Sequence, residues 1–281
     1  MEFRRYADIS PYRNAVLDVL LENEVQNNLP LSLAAVSRIR GGADWFLAAV
    51  LSDGGRAMLT ALCVKPFVMM LYETGNIRND EALALFAREL QRIGYTPRGV
   101  MAEPGLARRF ADAMCDPGKH SLHFSMFAMR LDNLSAYEKA PGFCRTLDSR
   151  DMFFAPYWER AFSEDCRSHV FSIKENVERL KTRLETGTHH IWEDGAPVSQ
   201  AVHGRDTPNG AVVSGVYTPP HYRGRGYATS VVSELSESLL NHGKKFCCLF
   251  ADADNPVSRG IYKKLGYYDV CQLDEIRFDM A

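Results

Sequence analysis

The sequence predicts an α+β fold (α/β mixed): two tandem units, each a mostly antiparallel central sheet flanked by helices. Three observations carry this. The chain has 281 residues, a comfortable length for two domains of roughly 100–200 residues each. Short apolar runs of strand character alternate with longer segments of helical spacing. The order hairpin, strand, helix, strand, helix occurs twice, so the first half reads as a diverged copy of the second. We expect the division at 1–120 and 121–281.

The elements follow in order. Residues 12–24, with Val16, Val19 and Leu20 and then Val25, have helical spacing. Residues 45–51 and 57–64 are apolar strands around Ser52-Asp53-Gly54-Gly55, whose glycines suit a tight turn. A buried strand is expected at 67–72, a helix at 80–93 ending at Gly94, a strand at 99–103 and a helix at 106–114. Asp116-Pro117-Gly118 breaks the pattern before a strand at 122–131. In the second half, helices are expected at 151–162 and 172–184. Strands follow at 188–193 and 198–203 around Asp194-Gly195, and a third at 211–217. A long helix begins after Gly226 and stops at Gly243, with Ala228, Val231, Val232, Leu235 and Leu239 as its buried stripe. A strand at 246–251, a short helix at 256–265 and a strand near Ile276 end the chain.

Composition excludes several function classes. With 46% hydrophobic and 24% charged residues there is enough apolar surface for a core in each half, so disorder and fibrous classes drop out. The formal net charge is −2 and no long basic run occurs, which argues against a nucleic-acid binder and for a small partner. Seven cysteines lack a CxxC pair or ligand spacing, so neither a disulfide framework nor a metal site is expected, and a cytoplasmic setting follows. No stretch reaches the roughly 18 apolar residues of a membrane span.

The most informative segment is 213–229, VSGVYTPPHYRGRGYAT. A β-branched strand runs into Pro219 and Pro220, which lack N–H groups and force the chain out of the sheet. Gly215 is consistent with a bulge in that strand. Gly224 and Gly226 let the backbone approach a ligand, and the amides opening the next helix, with the positive end of its dipole, suit an anion. Arg223 and Arg225 add charge fitted to a diphosphate. A dinucleotide-binding turn would need a third glycine where Thr229 stands, and a P-loop would need Gly-Lys-Ser/Thr, which is absent. The matching position of the first half, residues 73–78, offers Glu73 and one glycine, so that copy has lost the anion site.

A second segment, 255–267, reads NPVSRGIYKKLGY. Asn255 is a good N-cap, Pro256 suits the first helical position and Gly266 the stop. Val257, Ile261 and Leu265 are expected to form the buried stripe, which leaves Ser258 and Tyr262 one turn apart on a neighbouring face.

Arg223-x-x-Gly226-x-Ala228 after such a strand resembles the coenzyme A signature of the GNAT acetyltransferase superfamily, and Asn255-x-x-Ser258 with Tyr262 and Leu-Gly-Tyr267 resembles that family's second motif. The run from Gly215 to Tyr267 is similar to the C-terminal domain of the glycine N-acyltransferase-like families, which also carry a degenerate N-terminal half. The resemblance implies tandem GNAT-like domains and acetyl-CoA (acyl-CoA) as co-substrate, without a metal. It implies that the amides of Gly224, Arg225, Gly226, Tyr227 and Ala228, with Arg223, hold the pyrophosphate. Backbone groups of Val216, Tyr217 and Thr218 serve the pantetheine arm, Asn255 and Ser258 lie on the cofactor side, and Tyr262 stands by the thioester sulfur as general acid.

The implied acceptor is a small amine or amino acid, with no nucleic acid or membrane partner, and a homodimer is compatible with this reading. A non-catalytic acyl-CoA sensor and a protein-lysine acetyltransferase are the competing readings. No carboxylate lies within the strand 211–217, so the general base is left to Glu193, Asp252 or His203 acting through geometry. Trp158, Glu159 and Phe162 are candidates for the acceptor pocket, or ordinary helix faces. Cys247 and Cys248 are expected in the core.

Overall fold

Strand β2 (Trp45–Leu51) shows how the first unit is built. In a computed structural model describing residues 1–35 and 44–279, Phe46, Ala48 and Val50 join one apolar cluster, and Leu47, Ala49 and Leu51 join another. Side chains of a strand alternate between faces, so an unbroken apolar run is a strand covered on both. On one face lie α1 (Ile9–Leu21) and α2 (Asn28–Ala34), contributing Tyr12, Val16, Leu20 and Leu31. On the other lie α3 (Asp80–Arg92) and α4 (Pro104–Met114), contributing Phe86, Leu90 and Phe110.

By internal packing this unit comprises Met1–Ala128 and Asp269–Ala281. Its strands β1 (Glu2–Tyr6), β2, β3 (Ala57–Val64), β4 (Met69–Glu73), β5 (Gly99–Ala102), β12 (Tyr268–Phe278) and β6 (His120–Leu131) lie side by side in that order. β4 and β5 pair in parallel, at Met69↔Val100 and Met70↔Met101, whereas β1–β2, β2–β3 and β3–β4 pair antiparallel. The strand expected near Ile276 is β12. It pairs antiparallel with β5, and its Ile276 and Phe278 join the first unit's core. The expected boundary between residues 120 and 121 treats the two units as consecutive, whereas packing divides the chain after Ala128 and again after Tyr268. Strand β1 and helix α2 carry too little periodic signal to be seen in sequence. In β1 every residue is at least partly exposed, so no apolar alternation marks it.

The second unit, Met129–Tyr268, orders its strands β11 (Phe246–Asp252), β10 (Gly210–Tyr217), β9 (Pro197–Asp206), β8 (His189–Glu193) and β7 (Phe143–Thr146). All neighbours are antiparallel except β10 and β11. The helix expected at 151–162 is in fact a 3-10 turn (Ser149–Phe153) followed by α5 (Ala155–Asp165). Pro156 explains the break, because proline is tolerated in a first turn and not inside a helix. Helix α6 (Ile173–Thr186) opens on a Ser172/Glu175 capping box and closes on left-handed Gly187. Helix α7 (Tyr227–Asn241) packs on β8, β9 and β10, and α5 packs on β10. Helix α8 (Pro256–Lys264) follows β11. The element order of the first unit, hairpin, strand, helix, parallel strand, helix, recurs here as β8–β9, β10, α7, β11 and α8.

Candidate functional site

The site begins where β10 and β11 part. They are in register over Gly210↔Phe246, Ala211↔Cys247 and Val212↔Cys248, and no further, although β10 runs on to Tyr217 and β11 to Asp252. On the other edge, the register between β10 and β9 shifts between Ser214 and Tyr217. The cause is the bulge expected at Gly215, whose φ is +60°. A side chain there would bring its Cβ within 2.9 Å of Val202 Cγ2, so glycine is required by contact as well as by conformation. Beyond the bulge, Ser199 donates to the Tyr217 carbonyl at 3.2 Å, and its hydroxyl lies 2.8 Å from that of Thr218. Pro219 then ends the strand ahead of a 3-10 turn, Pro220–Tyr222.

The loop that follows holds two left-handed glycines, Gly224 at φ +78° and Gly226 at φ +81°. Gly226 is the N-cap of α7 and brings no side chain to cap it. The first N–H groups of a helix have no intrahelical acceptor, so those of Tyr227 and Ala228 face outward with the positive end of the dipole. No atom lies within 4 Å of where a Gly224 side chain would stand, and residues 223–225 are exposed. Arg223 is braced by the protein itself: its Nε donates to the Thr218 carbonyl at 2.9 Å and its Nη2 to Asp165 at 2.7 Å. Tyr227 turns its phenol inward onto Asp194 at 2.5 Å, and that acceptor raises the phenol's pKa.

Helix α8 supplies the second group of residues. Asn255 accepts from the Ser258 N–H at 3.0 Å, as an N-cap should. Tyr262 is buried, its ring edge-on to Tyr267 at 5.9 Å. Burial pushes its phenol up to about 12, against the opposing hydrogen bond with Ser258. The stripe is partly corrected. Leu265 is fully buried, but Val257 is 73% exposed, because only the C-terminal turn of this nine-residue helix reaches the core.

The expected bases are all engaged. Glu193 is ion-paired with Arg145 and Asp252 with Arg167 at 3.0 Å, and His203 Nε2 is hydrogen-bonded with Asp206 at 2.8 Å. Cys247 and Cys248 are buried, and burial pushes the Cys247 thiol up to about 12. Of the residues considered for the acceptor, Glu159 is buried on α5, while the Trp158 ring lies tilted between those of Phe154 and Tyr217 at 4.5 and 6.0 Å. Two contributions escaped sequence reasoning. Ser199 and Gln200 are fully buried polar residues inside β9, and a polar pair within the apolar run Val198 to Val202 is the signal that could have found them. The irregular segment before β7 also lies along α7, with Ala140 N–H donating to Ser230 at 2.8 Å and Lys139 pairing with Glu234.

The corresponding place in the first unit carries its own anion. After β4, the Glu73 carboxylate accepts from the Asn79 N–H at the start of α3 at 2.8 Å and pairs with Arg109. Glu73 is 4% exposed. Among the described residues no group of histidine, cysteine and acidic side chains could hold a metal ion, and no helix is long and apolar enough to cross a membrane.

Solved structures superpose on almost the entire chain. A GCN5-related N-acetyltransferase from Sphaerobacter thermophilus matches with a TM-score of 0.68 at 14% identity, covering 100% of this chain and 96% of its own. A GNAT-family acetyltransferase from Colwellia psychrerythraea matches at 0.66 and 9% identity, covering 99% and 100%. The fold is the GNAT fold. A tandem GNAT protein from the clavulanic acid biosynthesis pathway matches at 0.59 and 16% identity, covering 100% of this chain and 99% of its own, in keeping with two units. The family of FR47-like proteins matches residues 194–275, a stretch that contains the bulge, the glycine loop and α8. No curated protein matches in sequence.

Proposed function

We propose that this chain is an N-acyltransferase that moves an acetyl or short acyl group from acyl-CoA to a primary amine of a small molecule or amino acid by direct aminolysis. The observation that carries the reading is a conjunction: β10 and β11 diverge, and the strand facing the gap leads into left-handed Gly224 and Gly226 at a helix start with no side-chain cap. Open space at Gly224 suits the close approach of a diphosphate to the amides of residues 224–228. Val216, Tyr217 and Thr218, at the parted edge, suit a pantetheine arm that needs backbone partners.

In this reading the Val216 N–H polarises the thioester carbonyl while the neutral amine adds to its carbon. As the C–S bond breaks, Tyr262 gives its proton to the sulfur, and the new ammonium loses one to water or a base. A buried phenol with a raised pKa holds that proton throughout the neutral range. Asn255 and Ser258 serve by capping α8 and meeting the Tyr262 phenol. The absence of any disulfide among the described cysteines supports a reducing, cytoplasmic setting.

The test is calorimetry with coenzyme A and acetyl-CoA, followed by thiol release with a panel of amines and amino acids. Binding with turnover is expected. Binding without turnover on any amine would leave a sensor, and no heat on folded protein would remove the proposal.

A further inference from the structure

One fully buried side chain reaches the peptide group that carries the Val216 amide. Gln200 on β9 is 0% exposed and stands opposite Tyr217 in register. Its Nε2 donates to Glu159 Oε1 at 3.0 Å and to the Gly215 carbonyl at 3.3 Å, and its Oε1 lies 3.1 Å from His189 Nε2. Glu159 is held in turn by Arg183 at 2.8 Å. A carboxylate and a carbonyl can only accept, so the nitrogen of Gln200 faces them and its oxygen faces His189. His189 Nε2 therefore carries the ring proton, and its Nδ1 is buried without a partner.

The Gly215 carbonyl and the Val216 N–H belong to one peptide plane, and in a trans peptide they point in opposite directions. A donor that grips the carbonyl from one side thus fixes the direction of the N–H on the other. This matters most here, because at the bulge Gly215 and Val216 have no register partner on β9, and glycine is the residue least able to hold its own conformation.

Resting on the acyl-transfer reading above, we infer that Gln200 is a positioning residue that aims the Val216 amide at the thioester oxygen, and that Glu159, with Arg183, locks its amide group in that orientation. Neither side chain touches a substrate. Both act through the Gly215 peptide. Losing one oxyanion donor outright costs about 10²-fold or more in turnover, so a loosened peptide that only misaims it is expected to cost about 10- to 100-fold.

The test is the Gln200→Met variant, which keeps the side-chain length and removes the donor. The expected result is a kcat reduced about 10- to 100-fold with KM for acyl-CoA within about threefold, since the diphosphate loop is untouched. In nuclear magnetic resonance spectra, acetyl-CoA should still shift the amides of residues 224–228, while the shift of the Val216 amide seen in the unaltered protein is lost. A folded Gln200→Met protein with full kcat and an intact Val216 shift overturns the inference. Should that variant fail to fold, Gln200→Asn, which stays polar but is one carbon short of Gly215, is read in the same way. Absence of shifts at residues 224–228 in the unaltered protein would instead remove the coenzyme A reading, and this inference with it.

Discussion

Protonating His189 should destabilise the second unit by an amount that can be worked out. The ring is fully buried, and burial is the chief reason its pKa falls from 6.5 to about 4; Arg183 and His190 push the same way, while Glu159 and Gln200 oppose. Above pH 6.5 neither the folded nor the unfolded chain protonates this group, so its neutral form contributes in full. Between pH 6.5 and about 4 the unfolded chain binds a proton that the folded chain refuses, and stability falls as pH falls. At about 1.4 kcal/mol per pH unit, the total over that window is about 3 kcal/mol. The perturbation is His189→Asn, which removes the titration and keeps a donor for Gln200. Urea unfolding followed by tryptophan fluorescence at pH 7, 6, 5 and 4.5 gives the difference between the two proteins at each pH. The unaltered protein should be the more stable at pH 7 and should lose that lead steadily on acidification. Two parallel stability curves would refute the reasoning, because carboxylate titrations common to both proteins cancel in the difference.

Tyr262→Phe should lower kcat by about 10²- to 10⁴-fold, the usual worth of a placed general acid, with little change in coenzyme A affinity. Because burial raises this phenol to about 12, its acid form persists and the pH–rate profile should show no descending limb from it below about pH 11; a limb near 10 would assign the proton to another group. Gly226→Ala forces a side chain onto φ +81° and sets its Cβ 3.0 Å from the Tyr137 hydroxyl, a strain of about 1–2 kcal/mol. Coenzyme A affinity should fall about tenfold by calorimetry, and an unchanged Kd would mean the loop amides are not the anion site. Since Glu73 already answers the helix start in the first unit, titration should end at one coenzyme A per chain, and a stoichiometry of two would contradict that assignment.

Much of the fold was legible because the signals are local. The apolar run of β2, the cap at Asn255 with Pro256 behind it, and the stop at Gly243 after α7 each follow from backbone preferences of a few neighbouring residues. Elements with little burial left no such trace: β1 is exposed or half-exposed throughout. Misreadings arose where a local pattern met a single breaking residue or the limit of the core, as at Pro156 and Val257.

By itself, then, the sequence determined the kinds of element, their order, and the places where the backbone must be glycine: the bulge at Gly215 and the turns at Gly224 and Gly226. It could also single out Tyr262, one turn from Ser258. Only the tertiary structure decided that β12 pairs with β5, that Glu193 and Asp252 are each held in an ion pair, and that Gln200 reaches the Gly215 carbonyl. Periodicity and turn chemistry act over a few residues, whereas these contacts join positions from fifteen to more than a hundred and seventy apart. Which side chains meet at such distances depends on the strand edges and faces that pair once the whole core has closed.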